Sequence, residues 1–351
     1  MRIVQVQTPD RGRRLGVISG DKVLDVTEID GLPVLRSVFE AFHAAEDRGL
    51  SLTELLTTRA KESSRRFDYK HLLAAEPSGD KPYLLAPFDH PDPYRTLITG
   101  TGLTHLGSMQ SRNQMHSDAP VAAATEPKTD SAKMFEMGLA GGRPQPGERG
   151  VAPEWFYKGN GSILRGPRDP LDIPEFALDG GEEPEIVGCY VINRQGVPVR
   201  LGFALGNEWS DHATEKINYL YLAPSKLRTC AVGPELITDC DFQEITLRCT
   251  IARGKQRLYD SGPLLSGERH MSHSLANLED HHFKYPQHRQ PGDVHLHFFG
   301  TSRLSFSSRD WQFADGDVVT IEAPGWSAPL TNRVARAQKV TRSVSEGERS
   351  T

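Results

Sequence analysis

The chain has 351 residues, enough for one large domain or two of ordinary size. Hydrophobic residues make up 37% and charged residues 25%, the balance of a globular chain. The 41 basic and 46 acidic side chains leave a formal charge of −5, and with no long basic run nucleic acid is excluded as an expected partner.

Residues 1–7 alternate polar and apolar side chains as a strand does, and no apolar segment of the kind a signal peptide needs follows them. Residues 14–18 and 22–26 are predicted strands joined by the turn Ser19-Gly20-Asp21. Residues 34–45 and 52–58 are predicted helices, the second capped by Ser51. A proline-rich stretch (Pro77, Pro82, Pro87, Pro91, Pro93) marks the boundary between a small leading domain, 1–85, and a larger one, 86–333. In the larger part Thr99-Gly100-Thr101-Gly102 is expected to be a flexible turn. Strand-like runs follow at 186–192, 200–205, 244–252, 293–299 and 317–323, with helices at 131–139, 211–220 and 272–282. Few helices among many strands favour an α+β fold that is mostly β over a doubly wound one. The polar stretch 334–351 is expected to be a disordered tail. No run approaches the roughly 18 apolar residues needed to span a membrane. The four cysteines (Cys189, Cys230, Cys240, Cys249) lack CxxC spacing, which fits reduced thiols and a cytoplasmic location.

Glu183 and Glu185 stand at i and i+2 where the apolar run 186–192 begins, so in a strand both point to one face. Glu208 closes a second apolar run, 201–205. Three carboxylates at the ends of neighbouring strands make an all-oxygen pocket suited to Mg²⁺, Mn²⁺ or Ca²⁺. The opposing reading is of solvated charges, with Gly180-Gly181-Glu182-Glu183-Pro184 as an exposed turn. His295-Leu296-His297 has the same period-two spacing, which suits zinc and leaves a zinc hydrolase as an alternative, although no HExxH is present. His281 and His282 adjoin Phe283, as at a buried or subunit-facing helix end. Asp211 and His212 are expected to cap and open a helix rather than bind metal.

Taken in order, Glu183-Pro184-Glu185, Asn207-Glu208-Trp209-Ser210-Asp211, Lys226 ahead of Gly233-Pro234, Pro291-Gly292-Asp293 and Gly300-Thr301 resemble the fumarylacetoacetate hydrolase family. Its sugar-acid (GguC-type) branch is resembled further at Gly100-Thr101-Gly102-Leu103-Thr104-His105-Leu106-Gly107-Ser108, Met271-Ser272-His273 and His281-His282-Phe283-Lys284-Tyr285. The resemblance implies a β-roll core with a small N-terminal α+β domain, a homodimer, and a role in carbohydrate catabolism. It implies Mg²⁺ or Mn²⁺ on Glu183, Glu185 and Glu208, with a 2-oxo acid as substrate. Lys226 is expected to bind an oxygen of substrate or intermediate, and His105 to act as acid or base. Lys158, in a segment like the family's Phe-x-Lys, and Gly300 and Thr301 are expected substrate-binding positions. Two departures stand out. Glu208 occupies a place where the hydrolase branch carries Asp. The family's proton-handling His and Glu, aligned on Gly102, fall on Ser108 and Ser111, which leaves His105 or His116 to substitute.

A divalent ion that holds the ketone and one carboxylate oxygen of a 2-oxo acid stabilises an enolate. With a hydroxyl on C4 the enolate expels water; with an acyl group there, water breaks the carbon–carbon bond. The sugar-acid resemblance implies the first, a hydro-lyase that dehydrates a 2-oxo-3-deoxy acid such as 2-keto-3-deoxy-L-arabinonate. Hydrolysis of an acylpyruvate- or fumarylacetoacetate-like bond, decarboxylation of an oxaloacetate-like acid and non-catalytic sugar-acid binding are the alternatives.

Overall fold

The computed structural model describes residues 1–108 and 129–337. Strands β1 (Arg2–Thr8), β2 (Gly12–Ser19) and β3 (Lys22–Asp25) form an antiparallel meander. Helix α1 (Val38–Glu46) starts at Val38 rather than at residue 34, because the Ser37 hydroxyl caps it by accepting the Glu40 N–H at 3.1 Å. Helix α2 (Leu52–Glu62) opens on the expected Ser51 in a reciprocal capping box with Glu54 and runs past residue 58. Strand β4 (Arg66–Asp68), helix α3 (Tyr69–Ala74) and strand β5 (Tyr83–Leu84) complete the leading segment.

The rest of the chain supplies β6 (Thr96–Gly102), α4 (Asp130–Gly141), β7 (Glu154–Asn160), β8 (Leu164–Arg165), β9 (Leu171–Ile173), β10 (Pro184–Ile192) and β11 (Pro198–Asn207). Then come α5 (His212–Ile217), α6 (Leu222–Lys226), β12 (Cys230–Ile237), β13 (Ile245–Arg253), β14 (Gln256–Asp260) and β15 (Leu264–Ser266). Helix α7 (Leu275–Phe283) and strands β16 (Val294–Phe298), β17 (Val318–Glu322) and β18 (Leu330–Arg336) finish the described chain. A twelve-stranded mixed sheet has the order β4-β3-β2-β1-β12-β11-β10-β16-β6-β7, with β5 on β1 and β8 on β12. A six-stranded sheet has the order β14-β13-β17-β18-β9, with β15 on β13. The α+β, mostly β class is as expected. The large sheet runs from the leading segment into the rest of the chain, since β1 bonds β12 at Arg2↔Ile237 and Ile3↔Leu236.

Strand β10 is buried at every position because both its faces are covered. Val187, Cys189 and Val191 join a core with α1 and α2, through Val38, Leu55 and Leu56. Ile186 and Tyr190 join a second core with Ile251 and Ile321 of the small sheet. Burying each such aliphatic side chain is worth about 1.5–3 kcal/mol before entropy is counted.

Several expectations are corrected. Thr99-Gly100-Thr101-Gly102 is the end of β6, paired in parallel with β16, and not a flexible turn. Its glycines are there for close approach: a β-carbon on Gly100 would come within 2.5 Å of the Phe156 ring, and one on Gly102 within 1.8 Å of Glu154 Oε1. Strand β12 has no alternating pattern to announce it. It tolerates Pro234 because its ladder to β11 is irregular between Phe203 and Leu205. The expected helix 211–220 stops at Ile217, where Asn218 is extended at φ −162°, ψ 138°. The helix expected at 272–282 starts at Leu275 behind Ser274, its cap. Strand β18 enters the expected tail as far as Arg336, with Val334 fully buried. Residues 338–351 lie outside the described residues.

Candidate metal centre

The antiparallel register Glu185↔Gly206 and Pro184↔Asn207 lays the start of β10 beside the end of β11. Glu208, one residue past β11, therefore meets Glu183 and Glu185, and its N–H donates to the Glu183 carbonyl at 3.0 Å. One oxygen from each of the three carboxylates lies within 4.8 Å of the others. All three residues are buried, so the exposed-turn reading fails. Glu182 is buried too, accepting the Ser305 N–H and the Ser305 hydroxyl at 2.8 Å.

Two lysines answer this negative charge. Lys226, the last residue of α6, donates from Nζ to Glu183 and, at 2.9 Å, to Glu208. Its ammonium lies 4.8 Å from the centre of the Phe156 ring. Lys158 on β7 is fully buried, 3.2 Å from Glu208 Oε1, and donates to the carbonyls of Trp209 at 2.6 Å and Lys226 at 3.0 Å. His212 Nε2 lies 3.0 Å from Glu183 Oε1. The Gly300 N–H donates to Glu185 Oε2 at 2.7 Å; the residue's φ of +92° is one that glycine alone adopts easily.

Burial raises the cost of charge on every member. Glu183 overcomes it and is held below the usual carboxylate range by Lys226 and His212. Burial, then the charges of Glu208 and Glu183, push Glu185 well above that range. Burial also raises Glu208, against the pull of Lys158 and Lys226. For Lys226 burial works the other way, but Glu183 and Glu208 prevail and hold it above the usual ammonium range. With all three ionised, the carboxylates would outnumber the two ammonium groups; burial and that shortfall of positive charge hold Glu185 up. A hard divalent cation fits that shortfall and the all-oxygen donor set.

A cleft opens onto this cluster, lined among others by Thr101, Glu154, His212, Glu215, Gly300 and Thr301. Its cavity volume is about 40 Å³, room for an ion and a water or so. The structure brings Glu183, Glu185, Glu208, Lys226, Gly300 and Thr301 together. It places Lys158 behind Glu208, where it supports a carboxylate instead of facing substrate. The Gly300 N–H is committed to Glu185.

His105 is not brought to the cleft. It is fully buried, its Nδ1 3.1 Å from Thr104 Oγ1 and its Nε2 3.1 Å from Ser266 Oγ, and burial and His270 depress its pKa to about 3. That is a core histidine, which corrects its expected acid–base role. Ser108 does line the cleft, but its hydroxyl donates to the His105 carbonyl at 2.6 Å. Ser111 and His116 lie outside the described residues. The zinc alternative finds no support among the described residues, where the glutamate trio forms the single grouping of this kind. His295 Nδ1 instead pairs with His282 Nε2 at 2.9 Å, and His297 Nδ1 with Thr99 Oγ1 at 2.7 Å.

Sequence reasoning missed Glu154, Glu215 and the inward role of His212. Asp211 does cap α5, accepting the Thr214 N–H at 3.1 Å, yet His212 itself reaches Glu183. A signal for Glu154 existed: Glu154, Phe156 and Lys158 alternate along β7 and all three are buried.

No protein-family model and no curated protein matches the chain. Solved structures do. A crystal form of 2-keto-3-deoxyarabinonate dehydratase is 17% identical with a TM-score of 0.67, over 97% of this chain and 100% of that one. A 2-keto-3-deoxy-D-arabinonate dehydratase complexed with magnesium and 2,5-dioxopentanoate is 18% identical with a TM-score of 0.66, over the same 97% and 100%. A 5-carboxymethyl-2-hydroxymuconate delta-isomerase from Mycobacterium smegmatis is 19% identical with a TM-score of 0.52, over 96% and 100%. At these identities the likeness is one of fold. The chain has the fumarylacetoacetate hydrolase fold that its motifs led us to expect.

Proposed function

We propose that the chain is a divalent-metal-dependent hydro-lyase that dehydrates a 2-oxo-3-deoxy sugar acid. The observation that carries this reading is the buried trio Glu183, Glu185 and Glu208 beside Lys226, with Glu183, Glu208 and Lys226 lining one cleft. The magnesium complex of a dehydratase with this fold supports it. A Mg²⁺ or Mn²⁺ ion on the trio would polarise the ketone of a 2-oxo acid.

The chain's own groups do the rest. Lys226 holds an oxygen of the substrate by charge. Thr301, on the cleft wall beside Gly300, presents a hydroxyl to the substrate carboxylate. Glu154 is the carboxylate placed to move the proton: it is buried, lines the cleft and accepts the Tyr219 hydroxyl at 2.7 Å. It takes a proton from C3, and as the acid it returns that proton to the hydroxyl leaving C4, so that water departs. Lys158 and His212 hold Glu208 and Glu183 in place. The runner-up is hydrolysis of an acylpyruvate-type bond on the same trio, for which water would have to be activated near C4. A homodimer and a cytoplasmic location belong to the same reading; light scattering tests the first.

The test is product analysis by mass. Metal-stripped protein is incubated with 2-keto-3-deoxy-L-arabinonate, its D isomer or an acylpyruvate, with and without Mg²⁺. Metal-dependent loss of one water from a sugar acid is expected. Cleavage of the acylpyruvate with both sugar acids untouched would replace the dehydratase reading with the hydrolase one. Metal-independent binding without turnover would make the chain a binding protein.

A further inference from the structure

The leading segment holds a cavity of about 580 Å³ that shares no residue with the cleft at the carboxylate trio. Two sheet pairings set its frame. Strand β4 bonds β3 at Leu24↔Arg66, Val23↔Phe67 and Lys22↔Asp68, and Pro82 leads into β5, which bonds β1 at Gln7↔Tyr83. Helix α3 closes another side, capped by Asp68, which accepts the His71 N–H at 3.0 Å. Phe67, Leu72 and Pro82 give the cavity an apolar stretch of wall, and Phe67 also packs on the core of Val4, Val6 and Val23. Arg66 and Lys81 line the same space, both exposed, and neither side chain has a hydrogen bond or ion pair among the described residues. Asp68 is the one carboxylate on this wall, and Lys22 answers it, donating from Nζ to Oδ2 at 3.0 Å. A second cavity, about 350 Å³, meets the first at Arg66, Phe67 and Pro82; four arginines on its wall (Arg11, Arg14, Arg65, Arg66) face two aspartates, Asp10 and Asp25. Glu28 nearby is spent on Arg14, at 2.6 Å, and on Arg65, at 3.0 Å. Two uncommitted cations thus border an apolar space within a region of positive potential.

We propose that this cavity is a second, non-catalytic ligand site, which takes a phosphate monoester with an apolar or aromatic body. The site stands apart from the trio and does not rest on the reading of it. Its size is that of an ordinary small-molecule pocket. Arg66 and Lys81 together match the charge of a phosphate monoester, a dianion above its second pKa of about 6. The guanidinium fork suits two of its oxygens and the ammonium acts as a point charge on the rest. A single carboxylate would leave one of the two cations unanswered. Phe67, Leu72 and Pro82 take apolar surface of the body out of water, and a ring gains further by contact with Phe67. These three side chains offer a sugar's hydroxyls no partner, so a sugar phosphate gains little from them.

Calorimetry on the metal-stripped full chain tests the site without any need for turnover. The probes are phenyl phosphate, inorganic phosphate, ribose 5-phosphate and benzoate. Phenyl phosphate is expected to bind at one per chain and at least about tenfold more tightly than each of the others, the range of one charge-assisted hydrogen bond or one buried ring. Arg66→Met and Lys81→Met should each weaken it about tenfold or more, and Arg66→Lys should keep part of the affinity. Both positions are exposed, so these variants should melt with the parent. Glu185→Gln should bind phenyl phosphate as the parent does. Absence of saturable binding, or binding that survives when Arg66→Met and Lys81→Met are combined, would overturn the site. Inorganic phosphate or ribose 5-phosphate as tight as phenyl phosphate would overturn the apolar body, and benzoate as tight would overturn the phosphate head. Binding lost in Glu185→Gln would move the anion to the metal centre and overturn the site as well.

Discussion

Two buried clusters of titratable side chains lie along strand β10, and they solve the burial of charge in opposite ways. At the start of β10, three glutamates are gathered against two lysines beside an open cleft. Farther along, beside Gly188 and Tyr190, β16 carries His295 and His297, whose rings lie 5.0 and 4.7 Å from that of His282. Burial, then like-charged neighbours, hold His295 and His297 down to about 3 and His282 well below its ordinary value. The histidines therefore shed their protons and pack as neutral rings, with Trp155 Nε1 donating to His282 Nδ1 at 3.3 Å. Among the glutamates, Glu183 is held below the usual carboxylate range by Lys226 and His212, while burial and its acidic neighbours push Glu185 well above it, so charge on the whole trio depends on cations. Period-two spacing brings both pairs to one face of a strand, so spacing alone does not distinguish a metal centre from a packed core; the neighbours supplied by other elements do.

The sharpest way to break this contrast is to remove the lysine that answers the acids. Lys226→Met should destabilise the metal-free protein by about 3–5 kcal/mol, the cost of leaving buried charges unpaired. Mg²⁺ should restore much of that loss in a thermal melt. A metal-free melting temperature unchanged from the parent would show that the carboxylates do not rely on Lys226.

The histidine cluster predicts a pH effect of opposite origin. Folded pKa values depressed below the unfolded value of about 6.5 give stability that is full above pH 6.5 and is lost as the pH falls toward 3. At pH 5 each such histidine costs on the order of 2 kcal/mol. Thermal melts from pH 7.5 to 4.5 should fall steeply for the parent and less steeply for His295→Leu. Parallel curves would contradict the neutral-stack reading.

Smaller effects are expected where a group only supports another. Lys158→Met should weaken Mn²⁺ binding by about 10–100-fold, as loss of a residue behind a ligand does, and calorimetry reads this directly. His105→Gln should lower turnover less than about threefold while lowering the melting temperature, since a buried polar group loses its partners. A hundredfold loss of turnover would return His105 to the active site.

How much was legible follows from how locally each feature is encoded. Glu183, Glu185 and Glu208 could be found because two of them share a strand face and the third ends the neighbouring apolar run. The strand class could be found because alternation and apolar runs mark it. The burial of His105 could not, because its partner Ser266 lies 161 residues away and its backbone bridges to Met271. Strand β6 was mistaken for a turn because Gly100 and Gly102 look like flexibility. In fact they make room for Phe156 and Glu154 on β7, a pairing that no local pattern reveals.

The most direct measurement is a calorimetric titration of the metal-stripped parent and of Glu185→Gln with Mn²⁺. The buried trio predicts a single ion per chain in the parent and binding at least about 100-fold weaker in the variant, since a direct ligand matters no less than its supporting groups. Equal stoichiometry and affinity in the two proteins would contradict a metal centre at Glu183, Glu185 and Glu208.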